Sequence, residues 1–208
     1  MTTLPLKAKT RAESKFQFQM TASSVLLWVA AALLLASIVL PYWKLTLNAP
    51  QYPGGLHVHV FANKMIGDIH EIDGLNHYIG MRRLDEAAKF EREISVFAIV
   101  ALALLVLAVS FIHSKWAILL ALPALSFPFV FLADLWFWLR YYGQNLDPHA
   151  PLSSAIKPFT PTVLGTGKIG QFSTTAFVTY GFYLALLAGV LIIAAFVIRQ
   201  RELRRVDA

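Results

Sequence analysis

The sequence predicts an all-α membrane protein with four transmembrane helices, both termini cytoplasmic and two extracytoplasmic loops, the first of which carries a small β-hairpin and an interfacial helix. Three observations lead to this fold class: four long apolar runs, a composition that is 57% apolar and 14% charged over 208 residues, and basic residues concentrated in short segments beside the runs. This composition is typical of a polytopic membrane protein. Four such runs would leave a soluble chain too little polar sequence to cover them.

Each apolar run has about the length of a membrane-crossing helix. A helix rises ~1.5 Å per residue, so ~20 residues cross a hydrocarbon core of ~30 Å. The runs are Ala22–Leu40, Ile94–Ile112, Ala117–Leu139 and Ala176–Ile198. They define one transmembrane domain over residues 22–198, between an N-terminal segment of residues 1–21 and a basic tail of residues 199–208. The N-terminal segment lacks a clean cleavage pattern, so we expect the first run to be retained.

The positions of lysine and arginine predict the orientation in the membrane. Short basic segments precede the first run, join the second to the third, and follow the fourth. Their residues are Lys7, Lys9, Arg11, Lys15, Lys115, Arg199, Arg201, Arg204 and Arg205. Such segments mark the cytoplasmic side, which leaves residues 41–93 and 140–175 as outer loops. Arg82 and Arg83 conflict mildly with this orientation, but long loops follow the charge rule weakly.

Several classes of site are excluded by the sequence. The absence of cysteine excludes disulfides, thiolate metal sites, iron–sulfur ligation and covalent haem attachment. The net charge of +6 comes largely from the flanks of the runs, so it does not predict nucleic-acid binding. The segment Gly165–Gly170 resembles a phosphate loop only superficially, because Thr162 replaces the first glycine and Ile169 replaces the Ser/Thr that holds magnesium. We therefore predict no nucleotide partner.

The first outer loop contains two segments that alternate at period two. Leu56–Phe61 and Ile66–Ile72 flank Asn63 and Lys64, which predict a two-residue hairpin turn. Further along, the charged stretch Arg82–Glu93 has apolar residues spaced for a helix that lies at the membrane interface.

The predicted hairpin register brings four candidate metal ligands to one face. With Asn63 and Lys64 as the turn, His57 pairs with His70 and His59 pairs with Asp68. The two pairs share a face because side chains two residues apart point to the same side of a strand. Imidazoles at this spacing suit copper or zinc. The alternative is a half-exposed hairpin whose polar face is rich in histidine.

A second candidate site combines His77 with Met81. Four residues apart on a helix, the two side chains share a face, and an imidazole with a thioether suits copper, particularly Cu(I). His149 is a further candidate ligand in the second loop. As alternatives, His77 anchors the loop at the membrane surface and His149 is a turn residue.

Asp134 is the one acidic residue inside a predicted span. An ionised carboxylate is costly in hydrocarbon, so this side chain should face protein or water and is a candidate for a proton or ion path. It also lies about one turn from the aromatic belt at the outer interface, where hydration is easier. A structural interfacial role is therefore the alternative.

Three stretches of the outer loops carry a distinctive pattern: Ala49–Pro53, Gly74–Met81 and Gly143–Pro151. With the flanking runs, this pattern resembles a family of small bacterial polytopic membrane proteins associated with nitrous-oxide-reductase maturation and copper-handling gene clusters. The resemblance implies an accessory role in copper handling or electron-transfer biogenesis at the outer face of the bacterial cytoplasmic membrane. It supplies no ligand positions.

Two functions follow from these observations. The leading hypothesis is an accessory membrane protein that binds copper, or passes it to a periplasmic copper protein, through its outer loops. The alternative is a non-catalytic assembly or anchoring subunit of a respiratory membrane complex, in which the histidines have no metal role. In both cases the lipid bilayer is a partner, and no enzymatic activity is expected.

Overall fold

The computed structural model describes residues 21–112 and 114–206. Three strands follow the first helix, and two more precede the last helix. The elements are α1 (Ala22–Ser37), β1 (Trp43–Ala49), β2 (Tyr52–Val60), β3 (Met65–Gly67), α2 (Ile69–Ile79), α3 (Lys89–Val109), α4 (Ile118–Gln144), β4 (Gly165–Ile169), β5 (Phe172–Val178) and α5 (Tyr180–Val206).

The prediction of an all-α fold is wrong. The two outer loops together build a five-stranded antiparallel sheet with the strand order β3-β2-β1-β5-β4. The central strand β1 pairs with β2 from the same loop and with β5 from the other loop. The sequence predicts only a local hairpin, because pairing between segments so distant in the chain leaves no local signal.

The count of four transmembrane helices is also corrected. Among the described residues, three helices are long and apolar enough to cross a membrane: Lys89–Val109, Ile118–Gln144 and Tyr180–Glu202. Helix α1 has 16 residues, which span roughly 24 Å at 1.5 Å per residue. The first apolar run is longer than this helix, because the last residues of the run form a turn before Pro41. The fourth run began with Ala176–Val178, which belong to β5.

Small residues contribute to the contacts between the helices, beside larger ones such as Leu34 and Ile99. Helix α1 packs against α3 and α5, and α4 packs against α3 and α5. Ala30, Ala103, Ala121 and Ala185 are essentially inaccessible at these contacts, and small side chains let helices approach closely in a membrane. At the end of the bundle away from the sheet, the Arg199 guanidinium donates hydrogen bonds to the carbonyl oxygens of Val109 and Ile112, where α3 ends.

The hairpin between β2 and β3 has a different register from the predicted one. Val60 faces Met65 and His59 faces Ile66, whereas the prediction paired His59 with Asp68. The second strand has three residues, because Gly67 at φ +120° ends it and α2 starts at Ile69. The predicted interfacial helix over Arg82–Glu93 is a 3-10 turn, Leu84–Glu86, followed by the first residues of α3.

A buried joint connects the helical bundle to the sheet. Tyr42 lies between α1 and β1, and its hydroxyl forms a hydrogen bond of 2.6 Å with Ser37. Its backbone N–H donates to Val60, and its carbonyl oxygen accepts from Thr179. Gly181 packs against the Tyr42 ring, where an added Cβ would lie 2.7 Å from a ring carbon. The helices therefore position the sheet through buried contacts.

Candidate functional site

Two of the three stretches with the distinctive sequence pattern contact each other. The Asp147 N–H donates to the Gly80 carbonyl oxygen at 2.8 Å, and the Leu152 N–H donates to the Tyr78 carbonyl oxygen at 2.9 Å. Ile79, Met81 and Tyr142 form a buried apolar cluster beside these hydrogen bonds. The stretches at 74–81 and 143–151 thus join the two outer loops into one unit.

Gly80 is required by the geometry of this contact. It ends α2 in the left-handed conformation, at φ +78°, which L-residues with a side chain rarely adopt. An added Cβ would lie 2.6 Å from the Asp147 carbonyl oxygen. The close approach of the two backbones therefore depends on glycine at this position.

The middle of α2 is also fixed to the chain that follows the helix. Asp73 is buried on α2 and accepts a hydrogen bond of 2.6 Å from the Leu84 N–H. The Arg83 guanidinium lies 3.7 Å from the other Asp73 carboxylate oxygen. These contacts hold the chain on both sides of the distinctive 74–81 stretch, which therefore has a structural role in the first loop.

His77 and Met81 do not share a helix face. Helix α2 ends at Ile79, and Met81 follows the Gly80 cap with its side chain buried in the apolar cluster. His77 is exposed and its ring lies 6.1 Å from the Tyr78 ring. The predicted pairing assumed a continuous helix through Gly80, and the helix stops before it. His149 lies in the loop that contacts Gly80 and is also exposed.

The observed register does not form the other predicted ligand group either. His57 and His59 lie on β2, where Nδ1 of His57 forms a hydrogen bond of 3.0 Å with the Thr46 hydroxyl. His70 is exposed in the first turn of α2 and does not pair with His57. The Asp68 carboxylate accepts a hydrogen bond of 2.7 Å from the His57 backbone N–H.

Within the part of the chain that the structure describes, no three His, Cys, Asp or Glu side chains form a group that could hold a metal ion. Copper binding therefore stays a prediction. The basic residues at positions 7–15 that predicted the orientation lie outside the described residues.

The observed registers reveal a surface that the sequence analysis missed. Polar and basic side chains from four strands occupy the solvent-facing side of the sheet, in cross-strand rows fixed by the pairing. The row of Lys44 and His59 also contains the exposed apolar side chains of Phe177 and Ile66. We call the polar and basic part of this surface the basic face. Its residues are Lys44, Thr46 and Asn48 of β1, His57 and His59 of β2, Thr166 and Lys168 of β4, and Ser173 and Thr175 of β5. None of these nine residues is acidic.

The charge on the basic face centres on Lys44 and His59, which face each other across β1 and β2. Burial lowers the pKa of His59 from its ordinary value, and the positive charges of Lys44 and His57 lower it further. A second cation is therefore disfavoured beside His59, whereas an anion is favoured. Alternation of polar residues in β1 and β5 could have revealed this face, but neither segment was assigned as a strand.

Asp134 is half-buried on α4. It lines a cavity between α3, α4 and the sheet, together with Glu91. A role in a proton or ion path stays a prediction for this residue.

No family model matches the chain, and no solved structure shows significant similarity to it. Protein crumbs homolog 3 from Canis lupus familiaris is 37% identical to this chain over 67 residues, which are 32% of this chain and 52% of that protein. The chain thus spans about half the length of the curated relative it matches, and this segment is too short to assign a family. What the helices do establish is a membrane protein whose apolar surface suits contact with lipid.

Proposed function

We propose that this chain is a non-catalytic accessory protein that anchors an acidic partner protein at the membrane surface. The observation that carries this proposal is the basic face, which has two lysines, two histidines and no acidic residue among its nine positions. Complementary charge between two surfaces steers association and fixes orientation. The partner protein that binds this face is therefore expected to present an acidic surface.

The way in which the outer loops are joined supports an anchoring role. The sheet combines strands from both loops, and the Gly80–Asp147 contact closes them together on one side. A docking surface on such a unit loses little conformational freedom when a partner binds, which favours affinity. The helices hold this surface in place through the buried joint at Tyr42.

The family resemblance narrows the proposed partner. It favours a copper-handling or respiratory protein of the bacterial cytoplasmic membrane, with the sheet in the periplasm. The basic residues in the last turns of α5, which begin at Arg199, support this orientation, because cationic segments beside a span are retained in the cytoplasm.

The test is purification of the tagged chain from its native membranes in mild detergent, with the size of the complex measured by native mass spectrometry. The variant Lys44→Glu with Lys168→Glu reverses charge on the basic face. We expect the complex to dissociate, with at least a tenfold loss of affinity, equivalent to about 1.4 kcal/mol.

The matched control is Lys64→Glu with Lys157→Glu, which makes the same change in charge at exposed positions outside the basic face. A photocrosslinking residue in place of Thr46 adds a direct readout, because a docked protein must lie within its reach. Equal complex formation by both charge variants, without crosslinking from position 46, would disprove the proposal.

A further inference from the structure

A cavity of about 320 Å³ lies where the sheet meets α3 and α4. Most of its wall is apolar, including Trp43 and Val58 from the sheet and Phe131 and Leu135 from α4. At ~30 Å³ for a group the size of a water molecule, the volume accommodates roughly ten methylene-sized groups. Apolar walls do not retain water, so the natural occupant of this space is hydrocarbon.

The cavity opens toward the surface that contacts lipid. Three residues of its lining, Ile94 and Ala98 on α3 and Val130 on α4, are exposed, and Val130 is 57% exposed. Both helices are long and apolar enough to cross a membrane. An acyl chain of the surrounding bilayer can therefore enter sideways without passing through water.

Charged residues of both signs lie along one part of the wall. Arg92 and Glu91 belong to the first turns of α3, and Asp134 belongs to α4. The Arg92 guanidinium also donates a hydrogen bond of 2.6 Å to the Asp85 carbonyl oxygen. A headgroup with both a phosphate and an ammonium complements this set, whereas an anionic headgroup would lie beside two carboxylates.

We propose that the cavity binds one acyl chain of a zwitterionic phospholipid, with its headgroup at Glu91, Arg92 and Asp134. The lipid then lies between the sheet and the two helices, and it contributes to the packing that holds the sheet on the bundle. This inference is independent of the proposed anchoring function, because the cavity lies on the opposite side of the sheet from the basic face.

The first test is native mass spectrometry of the full chain after transfer from nanodiscs into detergent. The nanodiscs contain equal amounts of a zwitterionic and an anionic phospholipid. We expect retention of one zwitterionic lipid, reduced about tenfold by Ala98→Trp, which fills the cavity. Phe97→Trp is the matched control, because Phe97 is 78% exposed and does not line the cavity.

Three results would overturn the proposal: no retained phospholipid on the wild-type chain, equal retention by the two variants, or preferential retention of the anionic lipid. Retention of free fatty acid in place of phospholipid would also contradict it.

A second test uses Trp43 as a reporter and does not depend on filling the cavity. Trp43 is 2% exposed and lines the cavity, so bulk lipid does not touch it. In a chain whose other tryptophans are replaced by phenylalanine, phosphatidylcholine with brominated acyl chains should quench Trp43 fluorescence, because bromine quenches indole only near contact. Unquenched Trp43 emission in a folded chain would refute occupation by an acyl chain.

Discussion

The two faces of the sheet have opposite chemistry although they are built from the same strands. On the inner face, Trp43, Val58 and Ala176 are at most 2% exposed and pack toward the helices. On the basic face, their neighbours Lys44 and His59 are only partly buried. Successive side chains of a strand point to opposite sides. Of two adjacent residues in a strand, one therefore packs against the helices and stabilises the fold, and the other is available for the proposed binding of a partner.

The sharpest test of this difference compares Trp43→Ala with Lys44→Ala. Trp43 is buried, and its Nε1 donates a hydrogen bond of 2.6 Å to the Val163 carbonyl oxygen. We expect its loss to reduce the free energy of unfolding by ~3–5 kcal/mol, whereas Lys44→Ala changes it by less than ~0.5 kcal/mol. Thermal unfolding of the detergent-purified variants measures both. Equal destabilisation would show that the two faces do not differ in this way.

The second prediction distinguishes a packing role of the Met81 side chain from a role as a copper ligand. Met81→Ala should destabilise the chain by ~2–5 kcal/mol, as expected for truncation of a buried methionine, whereas His77→Ala should change stability little because His77 is exposed. Met81→Leu keeps the side-chain volume, and we expect Cu(I) titration to give the same affinity with and without it. A lower affinity would indicate that the Met81 sulfur is a ligand.

The third prediction concerns the contact between the outer loops. Gly80→Ala forces a residue with a side chain into the left-handed conformation, at a cost of ~1–3 kcal/mol, and places its Cβ against the Asp147 backbone. Gly74→Ala is the control, because Gly74 lies inside α2 with nothing within 4 Å of an added Cβ. It should stabilise the helix by ~0.5–1 kcal/mol. Unfolding midpoints that move in the same direction would contradict this assignment.

The smallest predicted effect concerns pH on the basic face. Because the pKa of His59 is lowered in the folded chain, the unfolded chain binds more protons as pH falls below ~6.5. Stability should therefore decrease slightly between neutral pH and about pH 5, by a shift in the unfolding midpoint of ~2 °C or less. His59→Gln should reduce this dependence. A steeper dependence in His59→Gln would show that other groups dominate.

The sequence predicted the membrane character and the approximate positions of α3 and α4, because long apolar runs are a strong local signal. It did not predict the sheet, since β1 pairs with a strand that lies beyond three helices in the chain. The predicted register of the His-rich hairpin is wrong because the prediction places the turn at Asn63 and Lys64. In the structure, the second strand of the hairpin also ends early, at Gly67. The distinctive stretches at 74–81 and 143–151 are recognisable in the sequence, but only the folded structure shows that they contact each other.

The central position of β1 has a consequence for biogenesis. After synthesis of the first loop, β1 pairs with β2 but its other edge has no partner until residues 172–178 emerge from the ribosome, after α3 and α4. An unpaired strand edge is prone to pair with other chains, and distant pairing folds slowly. Truncation before β5 should therefore give a product that inserts but aggregates through its exposed strand.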